Sequence, residues 1–89
     1  MIASQQKLQQ EVTVASDLGL HARPAARISK IAMTSRSGVW LRLGDERVDA
    51  SSIIDILSLA CGKGTRLTIS VADPADRSVL KAIADLIES

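Results

Sequence analysis

The sequence contains few of the residues that usually build small binding sites. Trp40 is its single aromatic residue, with no tyrosine or phenylalanine among 89 residues, so the core must be aliphatic. One cysteine, Cys61, cannot form an internal disulfide. Together with a single histidine, His21, it cannot complete a Cys/His zinc site. We therefore expect a protein without a bound metal or cofactor.

Long apolar runs and an excess of one charge are missing as well. No stretch approaches the roughly 20 apolar residues of a membrane span, and the glutamine-rich N-terminus lacks the apolar segment of a secretory signal. The formal net charge of +1 provides no general attraction to nucleic acid or to anionic membranes. These features predict a cytoplasmic protein that binds neither nucleic acid nor membrane, and we expect it to be a monomer.

The chemistry of the chain is concentrated in Gly19-Leu20-His21-Ala22-Arg23-Pro24-Ala25, where a helix is predicted to begin. Pro24 suits a first helical turn, because its missing N–H and fixed φ cost nothing there. His21 would lie beside unpaired backbone N–H groups and the positive end of the helix dipole, a position that favours a dianionic phosphate. Arg23 and Arg27, four residues apart, share one face of this helix.

The remaining chain alternates between strand and helix patterns. Period-2 alternation predicts strands at 11–15, 39–43, 47–49 and 66–71, and apolar stripes with helical spacing predict helices near 24–33, 51–59 and 73–88. Residues 1–10 are predicted to be a frayed lead-in to a single domain that spans 1–89. The order β-α-β-β-α-β-α, with one apolar face on each element, predicts an α+β open-faced β-sandwich. Its sheet has four mostly antiparallel strands, covered by three helices on one face.

The motif GLHARPA at residues 19–25 resembles the active-site motif of HPr, the histidine phosphocarrier of the bacterial sugar phosphotransferase system. The resemblance spans essentially Val12 to Glu88. It implies that His21 is phosphorylated on Nδ1 by phosphorylated Enzyme I and passes the group to IIA components, while Arg23 helps to hold the phosphate. Ala22 and Pro24 form the helix start beside it. Such a carrier completes its chemistry only with partner enzymes and is not an enzyme by itself.

Arg27 has three interpretations: it contacts phosphate, pairs with acidic residues of Enzyme I, or is only solvated. We assign it to partner contact. In the second predicted helix, composition alone assigns Ile53 and either Ile56 or Leu57 to the core. The resemblance implies instead an exposed apolar patch that docks the partners, formed by Ile53, Ile54 and Leu57, with Ile54 as its first exposed member.

Ser52 has both a structural and a regulatory interpretation. As an N-cap, with Asp55 three residues later, it resembles a capping box. In a subset of HPr proteins the matching serine is phosphorylated by a dedicated kinase. Ser51 and Asp55 depart from the common residues of that subset and weaken the regulatory interpretation.

Three other functions compete with the sugar-branch carrier. The nitrogen-branch paralogue NPr shares the motif and is not separated from HPr by residues. A regulatory binding module acting through Ser52 and the apolar patch is disfavoured by the presence of His21. A nucleic-acid binder using the stripe of Arg23, Arg27 and Lys30 is disfavoured by the near-zero net charge and the single aromatic residue.

Overall fold

The structure, a computed structural model, describes residues 8–89. Their elements are β1 (Gln9–Thr13), α1 (Ala22–Ala32), β2 (Val39–Leu43), β3 (Glu46–Asp49), α2 (Ile53–Ser58), β4 (Arg66–Val71), a 3₁₀ turn (Pro74–Asp76) and α3 (Arg77–Ile87). The predicted order is confirmed. Because β1 begins at Gln9, residues 9 and 10 belong to the sheet and not to a frayed lead-in. The rest of that predicted lead-in, residues 1–7, lies outside the described residues.

The four strands form one sheet in the order β1-β4-β2-β3, and each neighbouring pair is antiparallel. Alternate strand residues are buried on the side that the helices cover: Val12, Val39, Leu41, Leu67, Ile69 and Val71. These side chains share one aliphatic core with the inner faces of the helices, represented by Ile28, Ile56 and Ile83. The predicted open-faced sandwich with three helices on one face is therefore confirmed.

The single aromatic side chain lies on the other face of the sheet. Trp40 is half-buried there between core residues Val39 and Leu41. The guanidinium carbon of Arg47, on the neighbouring strand β3, lies 5.0 Å from the centroid of its ring. Such a cation–π contact contributes about 0.5–1 kcal/mol at an exposed site.

A buried carboxylate ties the start of α3 to the connection between α1 and β2. Asp76 is 2% exposed, and its two oxygens accept the backbone N–H of Arg36 at 2.8 and 3.1 Å. One of them also accepts the backbone N–H and the hydroxyl of Ser37, at 3.0 and 2.9 Å. These bonds explain why the predicted last helix is divided. Asp73 caps only the 3₁₀ turn, and Asp76 then turns its carboxylate to residues 36 and 37.

We expect Asp76→Asn to lower the stability of the protein at neutral pH and to make that stability less dependent on pH in the acid range. Hydrogen bonds from the backbone of Arg36, and then from Ser37, lower the pKa of Asp76 below its ordinary value. The unfolded chain therefore binds more protons below about pH 4, so wild-type stability falls as the pH falls through the native pKa. Urea midpoints at pH 7, 5 and 3 measure this loss. Asp45→Asn, at the exposed β2–β3 turn, is the control, and equal midpoints for the two variants would contradict the assignment.

Candidate functional site

His21 is the N-cap of α1. Its backbone is extended (φ −78°, ψ −170°), and its carbonyl accepts the first intrahelical bond, from the N–H of Ala25 at 3.0 Å. Its Nδ1 accepts the backbone N–H of Arg23 at 3.4 Å. A nitrogen that accepts a hydrogen bond carries its lone pair and no proton, so this geometry assigns the proton of a neutral imidazole to Nε2. The half-buried ring therefore directs the lone pair of Nδ1 toward the N–H of Arg23.

The loop before His21 is fixed by a close approach to the loop after α2. Gly19 has φ +70°, and a Cβ added to it would lie 2.4 Å from the carbonyl oxygen of Cys61 and 2.8 Å from the Cα of Gly62. The N–H of Leu20 donates to the same Cys61 oxygen at 2.9 Å. Only glycine combines this φ with this contact. The backbone immediately before His21 is thus fixed by a hydrogen bond and by close contact with the loop after α2.

A small cavity of about 170 Å³ lies between the start of α1 and the end of α3. His21, Arg23, Pro24 and Arg27 line it from α1, and Ser16, Leu86 and Ser89 line it from the other side. The structure thus brings together the predicted histidine and both predicted arginines. Ala22, also predicted, is exposed in the same first turn. Within residues 8–89 no cluster of three or more His, Cys, Asp or Glu side chains is arranged to hold a metal ion.

Comparison with known proteins identifies the family of the chain. The family model described as "PTS HPr component phosphorylation site" matches residues 8–89. The chain belongs to the HPr family. It is 32% identical over 80 residues to the phosphocarrier protein HPr of Neisseria meningitidis, covering 90% of each chain. It is also 29% identical over 83 residues to the phosphocarrier protein NPr of Shewanella violacea, covering 93% of this chain and 91% of that one.

A solved structure gives the same result for the fold. The crystal structure of a phosphocarrier protein HPr from Bacillus anthracis superposes with a TM-score of 0.82 at 33% identity, covering 89% of this chain and 94% of that chain. Members of the HPr family are thus similar to this chain in sequence and in architecture. No helix within residues 8–89 is both long and apolar enough to cross a membrane.

The apolar residues that the HPr resemblance assigned to docking are exposed on α2. Ile54 is 77% exposed, Ile53 39% and Leu57 40%, and we call these three residues the α2 patch. The prediction that Ile53 belongs to the core is wrong, whereas Ile56 is fully buried. A helix of six residues makes fewer than two turns, so Ile56 alone on it faces the sheet.

Ser52 is the N-cap of α2, as predicted from its spacing to Asp55. Its hydroxyl accepts the N–H of Asp55 at 3.2 Å, while its own N–H donates to the carbonyl of Asp49 at 3.1 Å. The capping box is therefore half-formed, because Asp49 takes the place that the Asp55 side chain would hold. Ser51, in turn, accepts the Ser29 hydroxyl on its carbonyl at 2.6 Å, which anchors this loop to α1.

Cys61 is a buried free cysteine. Burial, and secondarily the charge of Glu46, raises the pKa of its thiol, so the thiol stays protonated. The preceding Ala60 ends α2 in the left-handed region (φ +52°), and its N–H donates to the carbonyl of Leu57 at 3.0 Å. This is the turn that directs the Cys61 carbonyl toward Leu20.

Two features of the site had no assignment from sequence. Ser16 and Leu86 line the cavity, although they come from opposite ends of the chain, and no local pattern indicates such a contact. Leu18, in the turn before His21, is 75% exposed. An apolar residue inside the turn sequence Ser16-Asp17-Leu18-Gly19 is a local signal that could have identified it, because turns lie at the surface.

Proposed function

We propose that this chain is a phosphoryl carrier. His21 accepts a phosphoryl group on Nδ1 from phosphorylated Enzyme I and passes it to IIA components of sugar uptake systems. The observation that carries the proposal is the N-cap position of His21, with Nδ1 facing the N–H of Arg23 at 3.4 Å beside a cavity that two arginines line. The proposed carrier acts in the cytoplasm, without a cofactor, and only in complex with partner enzymes.

The proposed transfer balances with few groups. The lone pair of Nδ1 attacks the phosphorus of the partner's phosphohistidine, the partner's N–P bond breaks, and its electron pair returns to the partner's nitrogen. The proton on Nε2 of His21 stays in place. Once Nδ1 is bonded to phosphorus it no longer accepts the N–H of Arg23, so that N–H becomes available to a phosphoryl oxygen.

The residues after His21 support this role through their backbone N–H groups, their charge and the restricted backbone of Pro24. The N–H groups of Ala22 and Arg23 belong to the first helical turn, where donors lack an intrahelical partner and favour an anion. The guanidinium of Arg23 adds a positive charge on the same cavity. Pro24 has no backbone N–H, but in the first helical turn that group would have no intrahelical partner, and the proline ring restricts the backbone there. Catalysis of phosphoryl transfer depends mainly on such positioning and charge stabilisation.

The first test is phosphorylation with phosphoenolpyruvate and purified Enzyme I, followed by mass spectrometry of the intact protein at neutral pH. We expect one acid-labile phosphate. Parallel reactions with the sugar-branch Enzyme I and with its nitrogen-branch homologue separate the two carrier functions, because the faster donor identifies the branch. A folded chain that takes no phosphate from either donor would contradict the proposal.

We further propose that the α2 patch docks Enzyme I and the IIA components, with Arg27 at the edge of the contact. We expect Ile54→Ser to reduce kcat/KM for transfer from Enzyme I by about tenfold, the effect of losing one well-packed interface side chain. Since Ile54 is 77% exposed, the unfolding midpoint is expected to stay unchanged.

Met33→Ser is the matched control. Met33 is a similarly exposed apolar residue (69%), and it lies at the C-terminal end of α1, opposite the end that carries His21. We expect this variant to retain wild-type transfer kinetics. Equal losses in the two variants would mean that general surface polarity, and not docking at the α2 patch, determines the rate.

Regulation at Ser52 by a serine kinase and phosphorylase remains a proposal within the same scheme. Ser52 is half-buried and directly precedes the α2 patch. A phosphate on its hydroxyl would put negative charge next to apolar docking residues and so weaken docking. Incubation with such a kinase, with Ser52→Ala as the negative control, tests whether the site is used.

A further inference from the structure

The cavity beside His21 has room for a whole phosphoryl group. Its volume of about 170 Å³ corresponds to roughly five waters at about 30 Å³ each, more than the four heavy atoms of a phosphoryl group occupy. Leu86 forms an apolar part of the wall. The histidine is thus not the only side chain that a transferred group would meet.

The charged side chains that line this cavity are all cationic. Among the described residues, neither the Arg23 nor the Arg27 side chain forms a hydrogen bond or an ion pair. Some other cations among the described residues are paired: Arg66 with Glu11 at 2.7 Å and Lys63 with Asp17 at 2.8 Å. No carboxylate side chain lines the cavity within residues 8–89.

The C-terminal end of α3, which carries the negative end of the helix dipole, also borders the cavity, and two of its carbonyls already accept hydrogen bonds. The Ser89 hydroxyl donates to the carbonyl of Leu86 at 2.9 Å, and the N–H of Ala15 donates to that of Ile87 at 3.2 Å. Paired carbonyls oppose an anion less than free ones would. The two guanidiniums are thus the charged side chains that an anion in the cavity would meet.

Ser16 also lines this cavity and carries a hydroxyl. Its carbonyl accepts the N–H of Gly19 at 3.0 Å, and its neighbour Ala15 is bonded to the end of α3, so the backbone on both sides of Ser16 is fixed. The side chain is half-buried, and within the described part of the chain its hydroxyl has no hydrogen-bond partner. The Ser16 hydroxyl is therefore, among residues 8–89, an unpaired hydrogen-bond donor on a fixed segment of backbone.

We infer that Arg27 and Ser16 bind the oxygens of the phosphoryl group on His21, in addition to Arg23. The inference rests on the proposed carrier function and differs from the sequence interpretation, which assigned Arg27 to a partner contact. Neither of these two side chains forms a covalent bond to phosphorus. The Arg27 guanidinium and the Ser16 hydroxyl donate hydrogen bonds that stabilise the dianion after the P–Nδ1 bond has formed.

An equilibrium measurement separates the two roles of Arg27. The equilibrium constant for transfer between Enzyme I and this chain compares only free proteins, so contacts made in the complex cancel from it. A contact with bound phosphate does not cancel. We expect Arg27→Gln and Ser16→Ala each to lower this constant by roughly threefold to tenfold, the range for an exposed charge-assisted hydrogen bond. Ser16→Thr, which keeps the hydroxyl, is expected to restore it.

Lys30→Gln is the matched control, since Lys30 is an exposed cation of α1 that does not line the cavity. We expect its equilibrium constant to stay within about twofold of the wild type, because removing a remote exposed charge has little effect. Slower transfer in Arg27→Gln with an unchanged equilibrium constant would assign Arg27 to the partner and overturn the inference.

A second route works without Enzyme I and so distinguishes failure of the carrier function from failure of the inference. Phosphoramidate phosphorylates histidine chemically, and ³¹P NMR then follows the titration of the phosphoryl group on His21. We expect the pKa of that group to be higher in Arg27→Gln and in Ser16→Ala than in the wild type, because a ligand of the dianion is lost. Identical titrations in all three proteins would overturn the inference, whatever Enzyme I does.

Discussion

His21→Ala is expected to accept no phosphoryl group, a loss of at least about 10⁴-fold, because removal of a covalent nucleophile leaves the reaction without an acceptor. His21 is the single histidine of the chain, so no second imidazole can take its place. The measurement is intact-protein mass spectrometry after incubation with phosphoenolpyruvate and Enzyme I. Wild-type protein in the same reaction provides the reference.

Alanine also removes the N-cap of α1, so a second variant separates the chemistry from the fold. Asparagine is among the best N-cap residues, and His21→Asn is expected to keep the helix start while it lacks the nucleophile. We expect this variant to unfold at the wild-type urea midpoint and still to accept no phosphate. An acid-labile phosphate on either variant would show that another residue is the acceptor.

Among the glycines of the described residues, Gly19 is expected to be the most destabilising to replace with alanine. The added Cβ would lie 2.4 Å from the Cys61 carbonyl oxygen, and alanine would have to adopt φ +70°. The left-handed conformation and the forced displacement of backbone together cost about 3 kcal/mol, a decrease in Tm of about 15 °C for a domain of this size. The displaced Leu20–Cys61 bond immediately precedes His21, so phosphoryl acceptance should fall as well.

Gly44→Ala isolates the two causes. Gly44 has φ +62°, close to that of Gly19, but a Cβ there would meet nothing within 4 Å. We expect it to cost about 1 kcal/mol and to leave phosphorylation unchanged, because it carries only the conformational penalty. Thermal unfolding of both variants decides the matter: equal Tm values would show that the contact with Cys61 has no energetic weight.

Most of the fold could be predicted because its signals are local. The alternation of Leu67, Ile69 and Val71 and the spacing of Leu80, Ile83 and Ile87 specify both the type of element and its buried face, and all six side chains are buried. Element order and one-sided burial then leave few architectures. The motif around His21 likewise lies within one short stretch, so the histidine and the arginines of the cavity were identified together.

The remainder depends on contacts between distant residues. Asp76 resembles an ordinary helix-start aspartate, yet its hydrogen-bond partners lie 39 and 40 residues earlier. Ser16 meets Leu86 at the cavity only because the end of α3 packs beside the start of α1. Ile53 was misassigned for another reason: an apolar residue on a short helix carries no information about which side of the helix is covered.

The strand order has a consequence for the synthesis of the protein. β1 lies at one edge of the sheet and pairs only with β4, so Glu11 meets Arg66, 55 residues later. The loop that carries His21 is fixed by Cys61, which is made at nearly the same stage. Contacts between such distant segments form slowly, because the entropic cost of closing a long loop must be met before the contacts contribute any stabilisation. A nascent chain therefore cannot offer an assembled acceptor site to a partner until β4 has left the ribosome.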